Sequence, residues 1–483
     1  CETLKTILNM KTLKYFFVGA LLLSMQMPAM AQDVKTDVAA ITKVVVDAKG
    51  DVATTKSQVK DFVKAHKKDA EALAGLGRAF MNAKNLEQAK VYAEMAIKAN
   101  KNSASGYILH GDISVIEENA GDAAMWYETA TMNDPKNPSS YVKYARIYQK
   151  VDPDGAVAML KKLGEVDPSY PVDAAAGYMF SQNDRLKTAL EYFDKVKDVT
   201  AMDDYILFDY ATTAYVLEQY DKAVDLAAKG IGKYPEYNSF NRIGLYAADK
   251  KKDYATAVAY GEKLFSTPDT VKFTANDYIY YGDALTNVGR FDDAVAAYNK
   301  LPEVDPENKE VKKYVADTYT KAKRFTDAVA AMEAYIAAKG EEVTYKEYDA
   351  LADIYIDEAS VEGASNDVKV KAFENADKVY AQIEEKFDYA AAYAVWKRAL
   401  MNYQINPDVK VGRALPFYKK YIDIVSAKAE KTASETSKLA TAYTYLAVHY
   451  IQNDKKEEAK EWATKLLEIK PDDPNGLQIM SIK

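Results

Sequence analysis

The chain has 483 residues, a formal net charge of −8 and one cysteine, Cys1. That length exceeds what a single globular core usually organises, yet no Pro-, Gly- or Ser-rich linker divides it. Acidic and basic residues are interspersed without the basic stripe that a phosphate backbone requires, which argues against nucleic acid as a partner.

In chain order, residues 1–31 read as an over-extended start plus a secretory leader. Met10 serves as the start, Lys11 and Lys14 supply positive charge, and Tyr15 to Met25 form an apolar run too short for a membrane span. Ala29-Met30-Ala31 is a small-x-small cleavage site, so an exported, periplasmic protein beginning at Gln32 is expected. The leader carries three lysines and one glutamate, which leaves the mature chain near −10 and without cysteine. No cysteine follows the apolar run, so no lipid anchor is expected, and no stable membrane span remains in the mature chain.

Residues 32–68 are expected to be N-terminal capping helices. From 69 to 340 a regular array is predicted. Its first copy holds Leu73, Leu76, Gly77, Phe80, Ala89 and Ala96; the next holds Tyr107, Gly111, Ala123, Tyr127, Ala130 and Pro135. A third, one residue short between its helices, holds Tyr141, Tyr144, Ala145, Tyr148, Ala156 and Pro168, and a further one Leu207, Tyr210, Ala211, Ala223 and Pro235. The clearest copy has Tyr278, Tyr281, Gly282 and Leu285, then Ala294, Tyr298 and Leu301, then Pro306. Tyr278, Tyr281 and Leu285 share one face of a helix, Gly282 admits a second helix closely, and Pro306 ends that second helix. Residues 341–425 are expected to form irregular, elongated units, with a polar loop at 358–366 between Tyr355 and Ala376. A second long connection, 426–437, reads as loop or helix extension. Residues 426–483 close the chain with Tyr443, Leu446, Ala447, Tyr450, Ala459, Ala463, Leu466 and Pro471, followed by a capping helix.

Gly77 to Gly111 and Ala89 to Ala123 are each one 34-residue step, and a fixed period of this size marks stacked supersecondary units. The pattern of an aromatic, an apolar and a small residue, then Ala-x3-aromatic and a closing Pro, resembles the tetratricopeptide repeat (TPR), with about eleven units after residue 68. The resemblance implies an all-α, right-handed superhelical α-solenoid of helix-turn-helix units. Tyrosine at 38 residues against tryptophan at 3 fits aromatic slots filled mainly by Tyr.

Chemistry is sparse. His66, His110 and His449 lack metal-ligand spacing, and His110 takes an apolar slot. Gly230-Ile-Gly-Lys233 lacks phosphate-loop spacing and reads as a helix end. Asp152-Pro-Asp-Gly155 reads as a tight turn. The expectation is a non-enzyme with no cofactor and no metal.

In proteins resembling this one, first helices line a concave groove. Projection onto this chain nominates Tyr178, Tyr205, Phe208, Thr212 and Tyr215 as partner-binding residues, four of them aromatic. The alternative is that these rings pack between repeats. The groove that captures C-terminal carboxylates uses a Lys and Asn set; here Lys313 is followed four residues later by Asp317, so that mode is not expected. The expected function is a non-catalytic periplasmic scaffold binding a protein or peptide. The alternative, a glycan-binding protein of an envelope uptake system, fits less well without a lipidation cysteine and with few Trp.

Overall fold

The computed structural model describes residues 29–266 and 272–482, and all regular structure among them is helical. The leader lies outside the described residues apart from Ala29-Met30-Ala31, which begin the helix Ala29–Asp47. The described residues divide into two compact units that part between Thr213 and Ala214. In the first, Ala29–Asp47 and Val52–His66 precede the pairs Ala70–Asn82 with Leu86–Ala99, Ala104–Ile116 with Ala120–Asn133, Pro138–Tyr148 with Pro153–Val166, and Val172–Ser181 with Leu186–Phe193. The unit boundary falls inside the helix Asp204–Val216, and Tyr220–Lys233 follows it in the second unit. The second unit continues with Ser239–Lys250 and Tyr254–Ser266, Ala275–Asn287 and Phe291–Tyr298, Val311–Lys321 and Phe325–Lys339. Tyr345–Ala359 and Asn366–Lys386, Ala391–Ile405 and Leu415–Ser426, Ala433–Gln452 and Lys456–Ile469, and a last helix Pro474–Met480 complete it. Within each unit, contacts run chiefly between helices adjacent in sequence, as in a stacked repeat array.

The tight turn inside most pairs has a common mechanism. Lys84, Glu118 and Asp184 in the first unit, and Glu218, Lys252, Gly289, Lys323 and Asp454 in the second, adopt left-handed backbone with φ of 58–83°. The next residue's N–H then reaches back to the carbonyl five residues earlier, as in Asn85 to Phe80 at 2.9 Å and Arg290 to Leu285 at 2.9 Å. This closes the orphan carbonyls of the first helix and reverses the chain in three residues. Asn85 and Asn119 then cap the second helix by accepting from Gln88 N–H and Asp122 N–H.

Side-chain volume sets how closely the two helices approach. A Cβ on Gly282 would lie 2.5 Å from Tyr298 Cε1, one on Gly177 2.5 Å from Phe193 Cδ1, and one on Gly244 2.8 Å from Tyr260. In every case the ring sits sixteen residues after the glycine, as it does for Gly111 and Tyr127. Where Ala447 replaces the glycine, the residue sixteen on is Ala463, and both are fully buried. Ring against no side chain, or methyl against methyl, fills the same gap. Tyrosine suits these arrays for a second reason: Tyr107 and Tyr141 donate their hydroxyls to Lys101 O and Pro135 O, tying down the loop between repeats at 3.2 and 3.1 Å.

Several segments differ from the sequence reading. The loop expected at 358–366 is shorter: Glu358 and Ala359 stay helical, and Ser365 caps Asn366–Lys386 by accepting from Val368 N–H. The inserted residues therefore lengthen the second helix of that pair to 21 residues. Leu301 does not continue the helix of Ala294 and Tyr298, because Pro302 cannot donate inside it; Leu301–Val304 is a separate short turn, though Leu301 stays fully buried. Asp152-Pro-Asp-Gly155 is a helix start, with Asp152 accepting from Gly155 N–H and Pro153 in the first turn. In the connection 426–437 residues 427–432 lie outside helix, and Thr432 forms a capping box with Glu435.

Candidate functional site

The five nominated residues occupy first helices, and Tyr205, Phe208, Thr212 and Tyr215 share one face of Asp204–Val216 by their spacing of three, four and three. In the first unit, Tyr178 meets Tyr205 edge-on, with ring centroids 5.2 Å apart at 80°. Tyr205 is 46% exposed, the most open of the set. Phe208 and Thr212 are half-buried, and Thr212 Oγ1 is a buried hydroxyl without a hydrogen-bond partner. Tyr215, in the second unit, is 9% exposed: its hydroxyl lies 3.1 Å from Tyr280 Oη, and its ring packs near Tyr220 and Tyr246. Tyr215 is therefore core-like in environment, while Tyr178 and Tyr205 form a ring pair open on one side.

The histidines are held structurally. His110 stacks on Trp126 at 4.4 Å, and its pKa is lowered by burial, with Glu94 opposing. His66 Nε2 lies 3.1 Å from Asp37, and His449 Nδ1 2.7 Å from Val409 O. Among the described residues no group of three or more His, Cys, Asp or Glu is arranged to hold a metal ion. Gly230 to Lys233 ends the helix Tyr220–Lys233.

The second unit holds an open cleft of about 630 Å³ between the pairs that begin at Val311 and Tyr345. Asp317, Asp353, Asp357 and Glu362 line it together with Lys321 and Lys323, over a floor that includes Phe325, Met332 and Ile354. Sequence reasoning did not select this cleft, although it noted Asp317 and the neighbouring connection. The available signal was a carboxylate directly after the small first-helix residue in Gly282-Asp283, Ala316-Asp317 and Ala352-Asp353.

Two tetratricopeptide-repeat models match the chain, at residues 282–342 and 440–473. Both stretches are tetratricopeptide repeats. No curated protein matches it. Among solved structures it is similar to the C-terminal part of a TPR repeat-containing protein from Cytophaga hutchinsonii, at 21% identity and a TM-score of 0.42, covering 57% of this chain and all of that one. It is also similar to pilF of Pseudomonas aeruginosa, at 16% identity and a TM-score of 0.32 over 52% of this chain and 99% of the other. MamA of AMB-1 matches 34% of this chain and 87% of its own, at 19% identity and a TM-score of 0.30. Tetratricopeptide repeats suggest a protein-interaction scaffold, and the fold is typically non-catalytic. No helix among the described residues is long and apolar enough to cross a membrane.

Proposed function

We propose that this TPR protein is a non-catalytic periplasmic scaffold that binds a protein or peptide through the groove-side face of its first helices. The observation that carries the reading is the Tyr178–Tyr205 ring pair with Phe208 and Thr212 beside it on that face. Rings of this kind supply large, rigid contact area at small entropic cost. Tyr215 belongs to the packing of the second unit. Export rests on Lys11, Lys14, the apolar run and Ala29-Met30-Ala31.

Two measurements test the proposal. Affinity capture from an envelope extract, read by mass spectrometry, is expected to recover a partner with the wild type and to lose it with Tyr178→Ala/Tyr205→Ala/Phe208→Ala, at nearly unchanged melting temperature. Retained capture by a folded variant sinks this face. N-terminal sequencing of envelope material is expected to read from Gln32; a retained Met10 or a cytoplasmic fraction refutes export.

A further inference from the structure

Four successive first helices of the second unit carry an aspartate toward one face. Asp283, Asp317 and Asp353 hold the same repeat position in Ala275–Asn287, Val311–Lys321 and Tyr345–Ala359, each directly after a buried small residue. Asp249, near the end of Ser239–Lys250, lies beside Asp283. Asp249 is 8% exposed, and its Oδ1 has no hydrogen-bond partner. A buried carboxylate oxygen without a donor is unfavourable, and a second carboxylate as its neighbour makes it more so.

The nearby cations Lys250, Lys313 and Lys397 relieve the row only in part. Lys250 stands 5.2 Å over the Tyr280 ring, and Lys321 donates to Asn287 Oδ1 at 2.6 Å. Loss of water pushes the Asp249 carboxyl up to about 8, with Asp283 adding to the rise and Lys250 opposing it. The same loss of water raises Asp317, against Lys313, and raises Asp353, where Asp349 adds. At its far end the row opens into the cleft, where Asp357 and Glu362 extend the acidic lining beside Lys321 and Lys323. Three of the row's side chains are reachable: Asp283 is half-buried, and Asp317 and Asp353 are exposed.

We propose that this row receives the ammonium and guanidinium groups of a basic, extended segment of the partner protein, a specification that rests on the scaffold reading above. The occupant follows from charge complementarity. A cation seated at Asp283, the reachable neighbour of Asp249, offsets the like-charge conflict between the two, and further cations meet Asp317 and Asp353 in turn. An extended chain rises about 3.3 Å per residue, so a cation at every third residue recurs about every 10 Å along the segment.

The test is calorimetric titration of the full chain with a peptide of repeating Lys-Ser-Ser units, against a counterpart of Glu-Ser-Ser units. The wild type is expected to bind the lysine peptide, more weakly as salt rises, and not the glutamate peptide. Asp249→Asn/Asp283→Asn/Asp317→Asn/Asp353→Asn is expected to weaken that binding at least about tenfold with unchanged helical circular dichroism. If the fourfold variant does not fold, Asp317→Asn/Asp353→Asn, at exposed positions, is expected to weaken binding several-fold. Equal affinity for both peptides, or affinity unchanged in a folded variant, overturns the proposal. The scaffold reading is separated by capture from extract. A partner recovered equally by wild type and fourfold variant sinks the acidic row alone, whereas no partner for the wild type sinks the scaffold reading itself.

Discussion

Replacing Gly282 with alanine tests whether helix approach is set by paired volumes. Alanine improves helix propensity by roughly 0.5–1 kcal/mol over glycine. Against that, the new Cβ would sit 2.5 Å from Cε1 and 2.6 Å from Cζ of Tyr298, a ring that is 4% exposed and stacked on Tyr314 at 5.2 Å. A ring so enclosed cannot swing aside, and overpacking of this kind costs roughly 1–3 kcal/mol. The expected net effect of Gly282→Ala is a loss of about 1–2 kcal/mol in local stability. In a Tyr298→Ala background, itself destabilised by roughly 3–5 kcal/mol, the obstacle is gone and the same change becomes neutral or stabilising. That double variant recreates the Ala447 and Ala463 arrangement already present in the chain. Because repeat arrays need not unfold as one unit, the assay is hydrogen exchange read on Ala275–Asn287 and Phe291–Tyr298 across the four proteins. If Gly282→Ala costs the same, within about 0.5 kcal/mol, with and without Tyr298, the volume-pairing argument is wrong.

Asp277 is fully buried, accepts from Arg242 Nε at 2.7 Å, Nη2 at 2.8 Å and Tyr246 Oη at 2.7 Å, and completes a capping box with Thr274. Asp277→Ala strands the Arg242 charge, so a loss of about 3–5 kcal/mol is expected by chemical denaturation, and a loss under about 1 kcal/mol contradicts it. Lys252 adopts φ 66°, a conformation that costs a side-chain-bearing residue energy, so Lys252→Gly should stabilise by up to about 1 kcal/mol, while Gly289→Ala, at φ 83°, should destabilise; equal melting temperatures would refute this. Asp249 has a native carboxyl pKa of about 8, above its unfolded value, so the native state binds the extra proton. Its contribution is fully present below about pH 4 and is lost as pH rises toward about 8, so Asp249→Asn should flatten the decline in stability across that window. An unchanged slope in the variant would refute the assignment.

The repeat was legible in the sequence because sterics fix it. Gly282, Ala294 and Tyr298 must be small, small and large for two helices to meet, and such constraints recur wherever the pair recurs. What the period does not carry is depth. Tyr205 and Tyr215 share a helix face by spacing, yet one is 46% and the other 9% exposed, because Tyr246 and Tyr280 come from later repeats to cover the second. Polar composition marked the loop at 360–365 but not its ends, because an Asn-led helix with a Ser365 cap tolerates polar residues as well as a loop does.

The acidic row shows the same limit and its way around. In the sequence, Asp249, Asp283, Asp317 and Asp353 look like solvated helix surface, since nothing local distinguishes a wet aspartate from one deprived of water. Only packing reveals that Asp249 has lost its solvent while its Oδ1 gains no donor. Asp317 nevertheless left a trace, because it stands where a groove built for carboxylates uses an amide. An amide both donates and accepts, whereas a carboxylate only accepts and brings negative charge, so the exchange reverses the sign of the ligand that the position favours. A residue read as the absence of one binding mode is therefore, in its folded setting, an argument for the opposite one.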